Sequence, residues 1–166
     1  MDRNLGANQV ATSPTDGAAY GDLYQWGRAA DGHEKIFRVT GDAPTSGTYD
    51  GDANGFPPTA TASGAWDGDF ITTNNFLDWL GANQDNSLWQ GVSGTNNPCP
   101  AGFRLPTETE WDNEVQSWSS PDAAGAFASL LKLPLAGLRA ANTGNINFEG
   151  SNGFYWSSSL GGIIVR

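Results

Sequence analysis

One cysteine, one histidine and a scatter of acids are the side chains of this 166-residue chain that suit chemistry. Cys99 lies in "NNPCPAGFRLPTETEW", Asn96 to Trp111, between two prolines and just upstream of a helix start. A nucleophilic thiolate needs a neighbouring cation or a helix N-terminus to lower its pKa. No Lys or His adjoins Cys99 in sequence, and a cysteine without an identifiable base is seldom a nucleophile. His33, in "DGHEK", has Asp31 and Glu34 beside it. A triad needs a nucleophile and an orienting acid around the imidazole, and zinc needs several His or Cys ligands. Neither set is marked, so His33 reads as an exposed or locally bonded side chain. Glu108, Glu110 and Asp112 resemble paired carboxylates, but acids also favour the positive end of a helix dipole. "DGDANG" supplies Asp50, Asp52 and Asn54 with a turn glycine at Gly55, the first half of a calcium loop. Thr61 stands where the bidentate Glu belongs, so calcium is a candidate cofactor on half a motif, against a plain turn.

The elements that must position these residues are short. Thr107 followed by Glu110 is a capping box, and Trp111, Val115 and Trp118 repeat at helical spacing, predicting a helix from Glu108 to about Trp118. Tyr20 to Arg28 has spacing close to helical and reads as a helix or compact turn. "MDRNLGA" reads as a short strand, Lys35–Thr40 as a strand or loop flank, and residues 41–69 as a long polar loop. "NNFLDWL" (Asn74–Leu80) is a short amphipathic piece and "SLWQGV" (Ser87–Val92) a strand or turn. Phe127–Arg139 runs into an apolar strand interrupted at Pro134, and "GFYWSSS" is an aromatic strand in which alternation puts Trp156 in the core and leaves Tyr155 open. Arg104 and Arg139, both in apolar settings, read as buried structural arginines. The class is α+β, in a single domain over residues 1–166.

Composition narrows the partners. Net charge is −10, from 8 basic and 18 acidic residues, and no Lys/Arg cluster exists, which excludes a phosphate-neutralising nucleic-acid face. No apolar run approaches the ~20 residues that span a bilayer, so no membrane insertion is expected. An acidic, Asn/Thr-rich, Lys-poor chain suits a secreted or surface-displayed protein. A lone cysteine in such a protein points to a partner elsewhere.

Taken in order, "MDRNLGA", "YGDLYQWGR", "DFITTNNFLDW", "LWQGVSGTNNPCPAGFRLPTETEW", "LKLPLAGLR" and "GFYWSSS" resemble the Fibrobacter succinogenes major paralogous domain. That family belongs with the C-type-lectin-like folds, alongside formylglycine-generating enzymes and the variable proteins of diversity-generating retroelements. The resemblance implies a C-type-lectin-like fold with short irregular strands, one or two helices and long loops, within a larger protein. It implies that Cys99 pairs with a cysteine beyond the final "VR", outside this chain. It also implies a ligand-binding face near the C-terminal region. There Asn145, Asn147, Asn152, Ser157, Ser158 and Ser159 are short hydrogen-bonding groups and Tyr155 is a rigid aromatic, the mixture that paratopes use. The expectation is a non-catalytic recognition or adhesion module, extracellular, at a cell surface or virion-attached, binding a protein or glycan. A structural repeat packing against copies of itself in a filament or adhesin is the alternative. A formylglycine-generating-like oxidase is a further one, disfavoured because those enzymes use paired cysteines.

Overall fold

The computed structural model describes residues 3–38, 42–75, 78–159 and 162–166. Val39, Thr40 and Gly41, and the Phe76–Leu77 pair of the amphipathic piece, lie outside these. The chain is mixed α and β, with three short α-helices and four separate two-stranded sheets among the described residues. β1 (Ile36–Phe37) pairs antiparallel with β2 (Ala43–Pro44), and β3 (Thr48–Asp50) pairs parallel with β4 (Phe70–Thr72). β5 (Leu138–Arg139) pairs antiparallel with β6 (Ile146–Asn147), and β7 (Gly153–Trp156) with β8 (Gly162–Val165). A single parallel bridge, Gly137 to Gly153, joins the last two pairs. The helices are α1 (Gly51–Asn54), α2 (Glu108–Ser117) and α3 (Ala123–Ala128).

α2 forms where the capping box places it. Thr107 Oγ1 accepts the Glu110 N–H at 3.2 Å, and a Glu110 carboxylate oxygen accepts the Thr107 N–H at 2.8 Å. Trp111 buries its face of the helix, and Trp118 ends it as the C-cap. Arg104, expected to be buried, is exposed and grips Glu110 with two hydrogen bonds of 2.8 and 2.7 Å. An arginine fork matches a carboxylate in this way, so the salt bridge, not burial, explains Arg104.

Four local expectations differ from the structure. Residues 21–25 form no helix, though the expected compact turn is present at residues 26–27, closed by the Arg28 N–H on Gln25 O: Gly21 has φ +73°, and the Asp22 and Leu23 N–H groups go to Leu5 O and Glu34 O. A Cβ at Gly21 would lie 2.2 Å from Leu5 O, so only glycine allows this approach. Phe127 and Ala128 belong to α3 and not to a strand, because the Asp122 carboxylate accepts the Ala124 and Gly125 N–H groups and starts a helix there. The supposed loop over 41–69 contains β2, β3 and α1, and residues 3–7, the described part of "MDRNLGA", turn instead of extending.

Sheets this small leave most backbone carbonyls without a ladder partner, and buried carbonyls need donors. Tryptophan supplies them. Indole N–H groups of Trp26, Trp79, Trp89, Trp111 and Trp156 donate to Ser157 O, Trp26 O, Arg28 O, Trp156 O and Tyr24 O, at 2.8–3.3 Å. Each of these bonds spans tens of residues of sequence, so the indoles do the work of missing strands while their rings fill the core. Trp79 and Trp89 sit with Ile71, Leu80 and Leu88 in one buried cluster; Trp111 sits with Ala126, Leu133, Leu135 and Val165 in the other.

Candidate functional site

His33 and Glu34, both buried, meet the exposed Asp31 in one polar cluster. His33 is fully buried rather than exposed, in contact with the rings of Tyr24 and Phe70. Its Nε2 accepts the Gln25 N–H at 3.1 Å, and its Nδ1 lies 2.7 Å from Asp31 Oδ1. The ring is therefore a neutral imidazole donating from Nδ1 to Asp31. Glu34, also buried, accepts the Gly32 N–H at 3.0 Å and lies 3.4 Å from the same nitrogen. Arg28 bonds Asp31, the Gln25 side chain and the carbonyls of Asp69 and Trp66. The Gln25 amide in turn donates to Ile71 O and accepts from Ile71 N, imitating one step of a β-ladder. Arg139 donates to His33 O from the other side.

Asp31, His33 and Glu34 offer ligand atoms within 4.8 Å of one another, a set a metal ion could use. Both ring nitrogens of His33 already hold partners, and Arg28 sits against Asp31, so the cluster reads as a charge network that fixes loops. Burial pushes the His33 pKa down, against the opposing pull of Asp31. Burial also works against the Asp31 carboxylate, but the His33 hydrogen bond and Arg28 outweigh it and hold that carboxyl at about 2.

The sign of the pH dependence follows. Burial lowers the folded pKa of His33 below that of the unfolded chain, so as pH drops below about 6.5 the unfolded chain takes up its proton first and stability falls, by at most about 1.4 kcal/mol per pH unit. Asp31 adds stability that is present above its unfolded pKa and lost as pH falls toward about 2. Denaturant unfolding between pH 7 and 5 is expected to show the His33 slope, and His33→Gln to flatten it.

Cys99 is a free, half-buried thiol whose pKa burial raises. A raised pKa means less thiolate, so reaction with a thiol reagent at pH 7.5 is expected to be at least about tenfold slower than in the denaturant-unfolded chain. Equal rates would show an activated sulfur. Of the helix-start acids, Glu110 is held at about 2 by Arg104 and the Thr107 N–H, while Glu108 and Asp112 are exposed.

Asp50, Asp52 and Asn54 each hold local hydrogen bonds. Asp50 caps α1 through the Ala53 N–H, Asp52 accepts from Thr73 Oγ1 and the Asn74 N–H, and Asn54 donates to Asp50 O. They clamp a turn to the chain after β4.

The residues expected on a ligand face divide. Asn145 and Asn147 are exposed on the β5–β6 hairpin, and Asn152 and Ser159 are half-buried. Ser157 and Ser158 are buried, at 0% and 2% exposure, with their carbonyls taken by Trp26 and Gln90, so neither presents a hydroxyl to a partner. Tyr155 turns inward onto Trp111 and donates its hydroxyl to Pro134 O. Trp156 is 46% exposed, the reverse of the expected alternation. Register explains both: Tyr155 stands opposite Ile163, on the face that packs against α2 and its Trp111, which sends Trp156 to the other face.

An open cavity of about 700 Å³ joins these regions. Its walls include Tyr24, Trp79, Cys99 and Leu133, and its rim carries the exposed apolar side chains of Phe103, Leu131, Trp156 and Ile164. The signal for it in the sequence is the number of aromatic residues. Comparison of the chain with family models, curated proteins and solved structures returned no match.

Proposed function

We propose that this chain is a non-catalytic recognition module on a C-type-lectin-like scaffold, acting outside the cell, at a cell surface or on a virion as part of a larger protein. The observation that carries the reading is the aromatic-walled cavity with four exposed apolar side chains on its rim, since exposed apolar patches edged by polar surface mark interaction sites. The side chains suited to catalysis are engaged otherwise: His33 and Asp31 in loop-fixing bonds, Glu110 in a cap, and Cys99 as a thiol with a raised pKa. An apolar rim favours a polypeptide ligand over a glycan, which needs polar groups around an aromatic platform. Trp156 is the natural anchor, because its indole N–H bond to Tyr24 O fixes the ring while nearly half of it stays exposed.

Selection of peptides from a displayed random library against the immobilised chain tests this. Enriched peptides are expected to lose at least about tenfold in affinity for Trp156→Ala and for Leu131→Lys, as anchor residues do. Enriched peptides indifferent to both substitutions, or no enrichment, would overturn the reading. Leu130→Lys, at a side chain 99% exposed, serves as the control.

A further inference from the structure

The loop before α2 and α2 itself border an open groove of about 460 Å³, which adjoins the cavity and shares Phe103 and Leu131 with it. Phe103, Pro106, Trp111 and Leu131 give the groove carbon walls, with Phe103 47% and Leu131 37% exposed. Three charged side chains line it: Arg104, Glu110 and Glu114. Arg104 and Glu110 neutralise each other, because both Glu110 oxygens accept hydrogen bonds from the guanidinium. Glu114 has no such partner. One of its oxygens accepts the Trp118 indole N–H at 2.9 Å, which holds the carboxylate in place without cancelling its charge. The other oxygen has no partner among the described residues.

Two more cations of the chain lie in this region. Lys132 follows Leu131, but its ammonium sits 5.0 Å over the Phe127 ring. Arg166, exposed, follows β8, the strand in contact with α2. Neither lines the groove, and neither is bonded to Glu114 among the described residues. Glu108 and Asp112, also on α2, do not line it.

Charge selects the occupant. Carbon walls with one uncompensated carboxylate suit a side chain that is apolar along its length and cationic at its tip. Lysine and arginine are built this way: the stem lies on apolar surface while the head stays charged, and aromatic faces attract that head. An acidic segment would meet Glu114 with like charge and find Arg104 already engaged. A second copy of this chain, at −10, is repelled as a whole.

Resting on the recognition reading above, we propose that this groove takes a lysine or arginine side chain of the bound polypeptide, next to the apolar residues that enter the cavity. The stem lies along Phe103, Pro106 and Leu131, and the head donates to the unpartnered oxygen of Glu114. The ligand is therefore a basic and apolar segment, and the net charge of −10 speeds its approach.

The test applies the displayed random library to the whole chain and to its Glu114→Gln variant. Glutamine keeps an acceptor for the Trp118 indole, so the end of α2 is preserved, and an unchanged unfolding midpoint confirms it. Peptides enriched on the unaltered chain are expected to carry a lysine or arginine close to their apolar anchor, and those enriched on the variant to lack that excess. Synthesised alone, the first set is expected to bind Glu114→Gln about fivefold or more weakly. Replacing the basic residue by norleucine or citrulline should cost about as much, and both changes together no more than either. Asp112→Asn removes the same charge from the same helix outside the groove and is expected to change affinity by less than about twofold. Equal losses for Asp112→Asn and Glu114→Gln, or additive losses for the protein and peptide changes, would show long-range attraction and overturn the contact. Enriched peptides that lack basic residues but still depend on Trp156 would overturn the groove proposal and leave recognition by the cavity standing. No enrichment, or indifference to Trp156→Ala as well, would remove the recognition reading and this proposal with it.

Discussion

Trp89→Ala is expected to destabilise the fold by about 3–5 kcal/mol, a large part of the ~5–15 kcal/mol that holds a domain together. The side chain is 1% exposed and lies at the centre of the larger core cluster, with ring contacts to Tyr24 and Trp26 at 6.4 and 5.6 Å. Truncation removes that contact area and opens a cavity that the surrounding turns cannot close. It also strips Arg28 O of its indole donor, bonded at 3.3 Å across 61 residues of sequence. Trp89→Phe separates the two effects: it keeps most of the ring volume and loses only the hydrogen bond, so it should cost about 1–2 kcal/mol. Urea unfolding followed by circular dichroism measures both. A cost below 1 kcal/mol for the alanine variant would mean that this indole does not hold the core.

Arg139→Leu is expected to cost about 3 kcal/mol or more, because a buried hydrogen-bonded charge leaves several carbonyls unpartnered. The guanidinium donates to Gly144 O and His33 O at 2.8 Å, to Ser46 Oγ at 2.8 Å and to Gly47 O at 3.2 Å, and lies 4.2 Å over the Phe70 ring. Three stretches of chain far apart in sequence thus meet on one side chain. Burial draws its pKa down to about 10, which still leaves it charged at neutral pH. Arg139→Lys is expected to recover less than half of the loss, since a single ammonium cannot reach in all of these directions. Full recovery by lysine would show that charge alone, and not the planar fork, is what the site needs.

How much of this was legible in the sequence depends on the range of each interaction. The capping box at Thr107 and Glu110 involves residues three apart, and α2 was placed to within a residue of its observed end. Arg139 was readable as a structural arginine from its apolar setting, although its partners were not. Tyr20 to Arg28 misled because its near-helical spacing is local, whereas its backbone partners, Leu5 and Glu34, are not. The serines after Trp156 were assigned to a surface by composition, yet their carbonyls are taken by Trp26 and Gln90 from more than 60 residues away. Trp156 and Tyr155 exchanged faces because strand register is set by what lies opposite, here Ile163 and α2, which period-two counting cannot know. The tryptophan count itself held the missing clue. Six of the seven indoles donate to backbone carbonyls, in a chain with few regular strands to satisfy them, and the seventh, of Trp118, donates to the Glu114 carboxylate.

Hydrogen–deuterium exchange of the whole chain, with and without a library-selected peptide, tests the recognition account most directly. Protection on binding is predicted over residues 153–156 and 162–165 and around Phe103–Pro106, where the rim of the cavity lies. Protection confined to the Asn145–Asn147 hairpin or to the Asp50–Asn54 turn would place the ligand elsewhere and contradict it.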